Sequence, residues 1–181
     1  VVAQETVRNA AIAVVIAAVG ILIYITWAFR AVPNSFRMGN AAILATVHDV
    51  LVVVGTFSII GKFLSLEINV MFIIGVLTVL GYSVHDTIVV FDRIRENTTR
   101  RVSRELETTI NISIMETIGR SFTTSITTLL VITSLLLLGG GTLQSLLVTL
   151  FVGIITGTYS SIAIASQILV VWERGEWPGP F

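Results

Sequence analysis

The sequence has no cysteine, which excludes both a disulfide framework and a thiolate metal site. Its two histidines, His48 and His85, are not spaced as a metal motif, so no metal is expected. Charge is scarce: 12% of the 181 residues are charged, about half the share of an ordinary soluble domain. Eleven basic side chains balance 11 acidic ones, and a net charge of zero gives nucleic acid nothing to bind. Low-complexity tracts are absent, as are the short alternating strands of a membrane barrel. The first apolar segment has neither the short hydrophobic region nor the small-residue cleavage site of a signal peptide. What fills the chain instead is hydrophobic: 54% of residues, with a mean hydropathy of +0.93. These are the marks of an integral membrane protein.

Five apolar segments are long enough to span a ~30 Å hydrocarbon layer, which takes roughly 20 helical residues. They run over about 9–29, 39–60, 68–91, 111–138 and 142–172, and the expected fold is an all-α bundle of five transmembrane helices in one domain. Breakers or charges follow each: Arg30 to Asn34 with Pro33, Gly61-Lys62, Asp92-Arg93, and the run Gly139-Gly140-Gly141. With five spans, one set of loops and termini holds Arg30, Arg37, Arg93, Arg95, Arg100, Arg101, Arg104 and Arg174. The other holds Arg8 and Lys62. The excess of positive charge places the first set, and with it the C-terminus, in the cytoplasm. An outside N-terminus that begins VVAQETVRN leads to the expectation that an earlier part precedes it.

Charge inside the spans is the informative exception. His48-Asp49 falls in the second span, His85-Asp86 in the third and Arg120 in the fourth. Asp86 lies 18 residues after Ile68, and Arg120 lies 18 residues before Leu138. At 1.5 Å per residue both sit ~27 Å from the outer boundary. Successive antiparallel spans would therefore bring them to one depth, and the two are expected to face each other inside the bundle, away from lipid. Asp49, 11 residues before Ile60, comes out near mid-membrane. Ser113, Thr117, Arg120, Thr124 and Thr128 repeat at spacings of four, three, four and four, which places them on one helical face. Such a face lines a cavity, packs on a partner, or bonds back to its own backbone. His48-Asp49 reads either as a satisfied pair or as an auxiliary to proton transfer. Asp86 reads either as a proton relay or as half of a static ion pair with Arg120. In the last span Gly153, Gly157, Ser161 and Ala165 form a small-residue ridge for close helix packing.

The stretch GYSVHDTIVVFDRIREN, Gly81 to Asn97, resembles the signature of the SecF family of protein-export membrane proteins. The resemblance continues in ATVHDVLVVVG (Ala45–Gly55), NISIMETIGRSFTTSITTLL (Asn111–Leu130) and FVGIITGTYSSIAIA (Phe151–Ala165), in the family's order. It implies a transmembrane half of the RND type, with the family's first span and periplasmic domain missing ahead of this sequence. By resemblance, Asp86 matches an essential intramembrane aspartate and Arg120 the arginine of the following span, with His85, His48, Asp49, Thr124 and Thr128 as auxiliaries. His85 departs from the family, which often has asparagine there. The implied activity is not enzymatic: protons, rather than a cofactor, would be the coupling ion for protein translocation. The implied partners are SecD, the SecYEG channel, the translocating preprotein and the lipid of a bacterial or archaeal plasma membrane. Two other readings remain: an RND-like exporter of small molecules or lipids, and a purely structural translocon subunit.

Overall fold

The computed structural model describes residues 2–30, 35–64, 68–173 and 175, and every regular element in them is helical. Helix α1 spans Val2–Ala28, α2 Ser35–Leu64, α3 Val70–Thr99 and α4 Leu106–Leu138. A short 3-10 turn, Gly141–Leu143, leads into α5, Gln144–Ser160, which continues through a π-turn at Ser161–Ala165 into α6, Ser166–Glu173. The last three elements form one rod. Four stretches are long and apolar enough to cross a membrane: Phe36–Phe63, Val70–Thr99, Leu106–Leu138 and Gly141–Trp172. In α1 the apolar part, Ile12–Ala28, is shorter. Five helical rods thus agree with the five expected spans; Pro33, Asn34 and Arg174 lie outside the described residues.

Two helix ends differ from the expectation, and the reason is electrostatic. Helix α2 runs through Gly61-Lys62 to Leu64, and α3 runs through Asp92-Arg93 to Thr99. Charge ends the apolar span without ending the helix. Beyond Asp92 the turns of α3 are tied by pairs at helical spacing, Arg95 to Asp92 (3.2 Å) and Arg100 to Glu96 (2.6 Å). What stops α3 is a Schellman turn: Val102 N–H donates to Asn97 O, Arg101 N–H to Thr98 O, and Arg101 takes a left-handed φ of 54°. Its start is capped by Asn69, whose side chain accepts from Phe72 N–H at 3.1 Å. Helix α4 stops where anticipated, with Gly139 N–H donating to Leu135 O at 2.7 Å.

Helix α3 occupies the middle of the bundle, against α2, α4 and α5, and its largest interface is with α5. This interface has a simple register. Gly75 meets Thr149, Val79 meets Gly153, Ser83 meets Gly157 and Thr87 meets Ser161, at a constant offset of 74 residues. A constant offset means parallel helices, and a repeat of four on both sides means that i±4 ridges interlock. Glycine stands wherever the opposite side chain needs room. A Cβ at Gly153 would lie 2.1 Å from Val79 Cγ2, and one at Gly157 would lie 3.1 Å from Ser83 Cβ. Apolar clusters close the bundle around the seam: Phe29, Phe91, Ile94 and Leu169 near one end, and Val53, Phe57, Phe72 and Val76 near the other. Phe57 and Phe72 pack with ring centroids 4.3 Å apart. Large apolar side chains such as Leu51, Phe63 and Leu137 face outward, as lipid requires.

The seam predicts an asymmetry between its two glycines. Val79 is β-branched, stiff and buried, so Gly153→Ala should destabilise the protein by roughly 1–3 kcal/mol, and Gly157→Ala by less. Val79→Ala added to Gly153→Ala should recover part of that loss. Thermal melts of the wild type, the three single variants and the double variant check this, and additive losses in the double variant would refute the Val79 contact as the cause.

Candidate functional site

Two carboxylates are buried between the helices, on adjoining faces of α3. Asp86, on α3, is 9% exposed. Its Oδ1 accepts a hydrogen bond from Ser121 Oγ of α4 at 2.7 Å. Its Oδ2 is buried and has no hydrogen-bond partner among the described residues. One oxygen held and one free is the arrangement of a carboxyl that can gain or lose a proton without dismantling its surroundings.

Asp49, on α2, is fully buried and fully engaged. Its Oδ1 lies 3.1 Å from Nδ1 of the half-exposed His48. Its Oδ2 accepts from Ser160 Oγ of α5 at 2.7 Å and from Ser83 Oγ of α3 in a short contact. Three helices therefore meet on one carboxylate. His48 and Asp49, adjacent in sequence, are brought together as a pair; His85, next to Asp86, is exposed on the outer side of α3.

Arg120 corrects the expected geometry. It is exposed, it makes no ion pair with Asp86, and it lines a cleft of about 310 Å³ with Asp92, Arg93, Glu96, Glu116 and Thr117. The depth estimate matched Asp86 to Arg120, and the residue that meets Asp86 is the very next one, Ser121. One residue of helix turns a side chain by about 100°, so equal depth brought the right level and the wrong face. The polar stripe is corrected with it. Ser113 and Thr117 are buried as part of it, but the buried row continues through Ser121 and Ser125, four residues at a time. Thr124 is exposed and Thr128 only half-buried; their hydroxyls donate back to Arg120 O and Thr124 O. A strict four-residue row drifts by about 40° per step around a helix, the path of a neighbour crossing obliquely.

Sequence reasoning missed the hydroxyls that complete the site. Ser121 extends the spacing of Ser113 and Thr117, a usable signal that the adjacent arginine masked. Ser125 is contacted by Tyr82 Oη at 3.0 Å and by Thr158 Oγ1, joining α3, α4 and α5. Gly153 and Gly157 lie against α3 as described, and Ser161 Oγ accepts from Thr87 Oγ1 at 3.1 Å. Further along α3, Arg93 Nε donates to Glu116 of α4 at 2.6 Å, and Asn97 Nδ2 donates to both Glu116 and Ser113. That network fastens α3 to α4 beside the Arg120 cleft. The outer surface of α4 mixes apolar side chains such as Phe122, Ile126 and Leu130 with the exposed Arg120, Thr123, Thr124 and Thr127, and of these the arginine charge is the group that lipid would make costly.

These features define a class, the polytopic helical membrane domain with a carboxyl group held inside the bundle. Residues 1–175 match the family described as protein export membrane protein SecD/SecF, C-terminal, and the chain belongs to that family. It is 48% identical over 176 residues to the protein translocase subunit SecF of Thermobaculum terrenum, covering 97% of this chain and 56% of that protein. With the SecF of Anaerolinea thermophila the identity is 46% over 175 residues, covering 96% and 57%. The chain spans about half the length of these relatives. Among solved structures it superposes on SecDF in its super-membrane-facing form with a TM-score of 0.84 at 41% identity, covering 96% of this chain and 22% of the other. SecDF from Thermus thermophilus, described as a translocon-associated membrane protein, gives 0.80 at 43%, covering 92% and 22%.

The pairing of Asp86 can be measured. A double-mutant cycle on Asp86→Ala and Ser121→Ala should give a stability coupling of about 0.5–3 kcal/mol, while Asp86→Ala with Arg120→Leu should couple far more weakly. A larger coupling to Arg120 would overturn the assignment of Ser121 as the carboxyl's partner.

Proposed function

We propose that this chain is the membrane portion of a SecF-type subunit that uses proton flow across the plasma membrane to assist protein export. Asp86 binds and releases the proton. The observation that supports this most directly is the half-satisfied carboxyl: Oδ1 fixed by Ser121 and Oδ2 buried but unengaged. A fully satisfied acid would be a structural fixture, and a fully solvated one would couple to nothing. A proton on Oδ2 turns that oxygen from an acceptor into a donor while Oδ1 still accepts from Ser121, so what rearranges as the proton comes and goes is the packing around Oδ2. One proton crossing ~100 mV supplies about 2.3 kcal/mol, enough to bias such a rearrangement several-fold.

Arg120 acts from the other side of the α4 backbone. Its exposed position, with Thr123, Thr124 and Thr127, supports a surface covered by protein rather than lipid, and the SecD partner is the natural cover. From that face Arg120 tunes the charge state of whatever acidic group the partner presents, and it reaches Asp86 only in another conformation. The SecYEG channel and a translocating preprotein follow as further partners, and the charge bias of the loops supports a cytoplasmic C-terminus. Protons serve as the coupling ion without a bound cofactor. A static structural role resting on an Asp86–Arg120 ion pair loses its basis, because the two are not paired. An exporter of small molecules or lipids draws some support from an outward-opening apolar groove of about 450 Å³ between α4 and α5. That groove is lined by Phe122, Ile126, Leu129, Ile155 and Tyr159, and Asp86 does not line it.

The test is Asp86→Asn in the full-length protein, reconstituted with its partner and the translocon. Asparagine keeps the acceptor for Ser121 and loses the titration, so stability should change by no more than about 1 kcal/mol. Gradient-driven export should be abolished, with the gradient-independent part unchanged. Normal gradient-driven export by this variant would refute the reading.

A further inference from the structure

The proton reading leaves the second buried carboxylate, Asp49, without a task. It differs from Asp86 in every respect that matters for proton exchange. Asp86 has a free oxygen, whereas Asp49 accepts two hydroxyl hydrogen bonds on Oδ2 and meets His48 on Oδ1. To be protonated on Oδ2, Asp49 would have to release a hydroxyl donor from α3 or α5. The ionisable group facing it is His48, on its own helix; the packed helices α3 and α5 present the hydroxyls of Ser83 and Ser160.

Ser83 is where this clamp takes hold of α3. Its carbonyl oxygen accepts from Thr87 Oγ1 at 3.0 Å and from Ser161 Oγ at 3.4 Å. Gly157 of α5 presses on it so closely that an added Cβ would come within 3.3 Å of Ser83 Cα. Asp86 follows three residues later, about 60° around the helix from Ser83, where its carboxyl meets Ser121 of α4. Three residues of helix rise only about 4.5 Å, so a slip or rotation of α3 at Ser83 is carried almost undiminished to Asp86.

We infer that Asp49 is a positioning residue for Asp86: through Ser83 it fixes the height and rotation of α3 and so aims the Asp86 carboxyl at Ser121. This rests on the reading of Asp86 as the proton-carrying group. It divides the labour between two acids: Asp49 keeps a constant set of partners while Asp86 exchanges. Near Asp86 the other ionisable groups are His85, on its own helix and turned outward, and Arg120 on α4, turned into the cleft.

The test follows the carboxyl C=O stretch of Asp86 by infrared difference spectroscopy across pH, on the full-length protein with its partner in vesicles. The band is assigned by its disappearance in Asp86→Asn. Asp49→Asn and Ser83→Ala should each move its pH midpoint by at least about half a unit and lower gradient-driven export. Val53→Ala removes buried apolar volume one turn further along α2, and should lower the melting temperature without moving the midpoint. If Asp49→Asn and Ser83→Ala behave like Val53→Ala, Asp49 only supports stability and the inference fails. It fails equally if Asp49→Asn removes a second pH-sensitive carboxyl band, because Asp49 would then carry a proton itself. Should Asp49→Asn not accumulate, Ser83→Ala and Ser160→Ala, each lacking a single hydroxyl, decide between the same outcomes. Failure of the proton reading is separately visible, because it is read from export by Asp86→Asn and not from the band.

Discussion

A carboxyl group inside a membrane bundle has no water to fall back on, and its partners must come from other helices at hydrogen-bond distance. Serine hydroxyls on short side chains meet Asp49 and Asp86, so the backbones bearing them have to lie close together. That requirement explains why the α3–α5 interface is built on Gly75, Gly153 and Gly157 rather than on large apolar residues. The glycines are not there for their own flexibility. They bring Ser83 and Ser160 to one carboxylate, and Thr158 to Ser125, while Val79 and Thr149 fill the space left open. Packing and polar satisfaction are one design, and neither would hold alone.

The two faces of α4 illustrate how the site is divided. Toward the bundle it offers Ser113, Thr117, Ser121 and Ser125, whose hydroxyls serve α3 and α5 or fold back onto the helix. Away from the bundle it offers Arg120 and three threonines among apolar residues such as Phe122, Ile126 and Leu130. The helix therefore stands as a partition, with one titratable group on its inner side and one permanent charge on its outer side. Only about a sixth of its most apolar window is buried within this chain, 17%, against 50% for α3, which accords with a helix whose outer face is completed by another protein.

Much of this was legible in the residues, and the failures share a cause. The spans could be read because roughly 20 apolar residues in a row have one physical use. The glycine ridge could be read because a period of four survives whatever it packs against. Depth along the axis was recoverable by counting, which is why Asp86 was matched to within one residue of its partner. Rotation about the axis was not, because it is set by crossing angles that only the assembled bundle defines; hence Arg120 was placed inside and Ser121 overlooked. The helix ends at Leu64 and Thr99 were hidden for a different reason, since hydropathy reports where lipid stops and hydrogen bonding decides where the helix stops. The π-turn at Ser161–Ala165 leaves no mark on hydropathy at all: it is a one-residue slip in the hydrogen-bond ladder.

The parallel seam also bears on how the protein is made. Ser83 reaches Asp49 across 34 residues of chain, whereas Ser160 reaches it across 111, and Ser161 meets Thr87 across 74. In a chain delivered from its N-terminus, α2 and α3 are complete well before α5 has been synthesised. Throughout that interval the groove that α5 will fill stands open, and Asp49 lacks one of its three partners. The last rod is therefore the keystone of biogenesis. Until it arrives, His48 and Ser83 are the partners of Asp49 that the chain already carries.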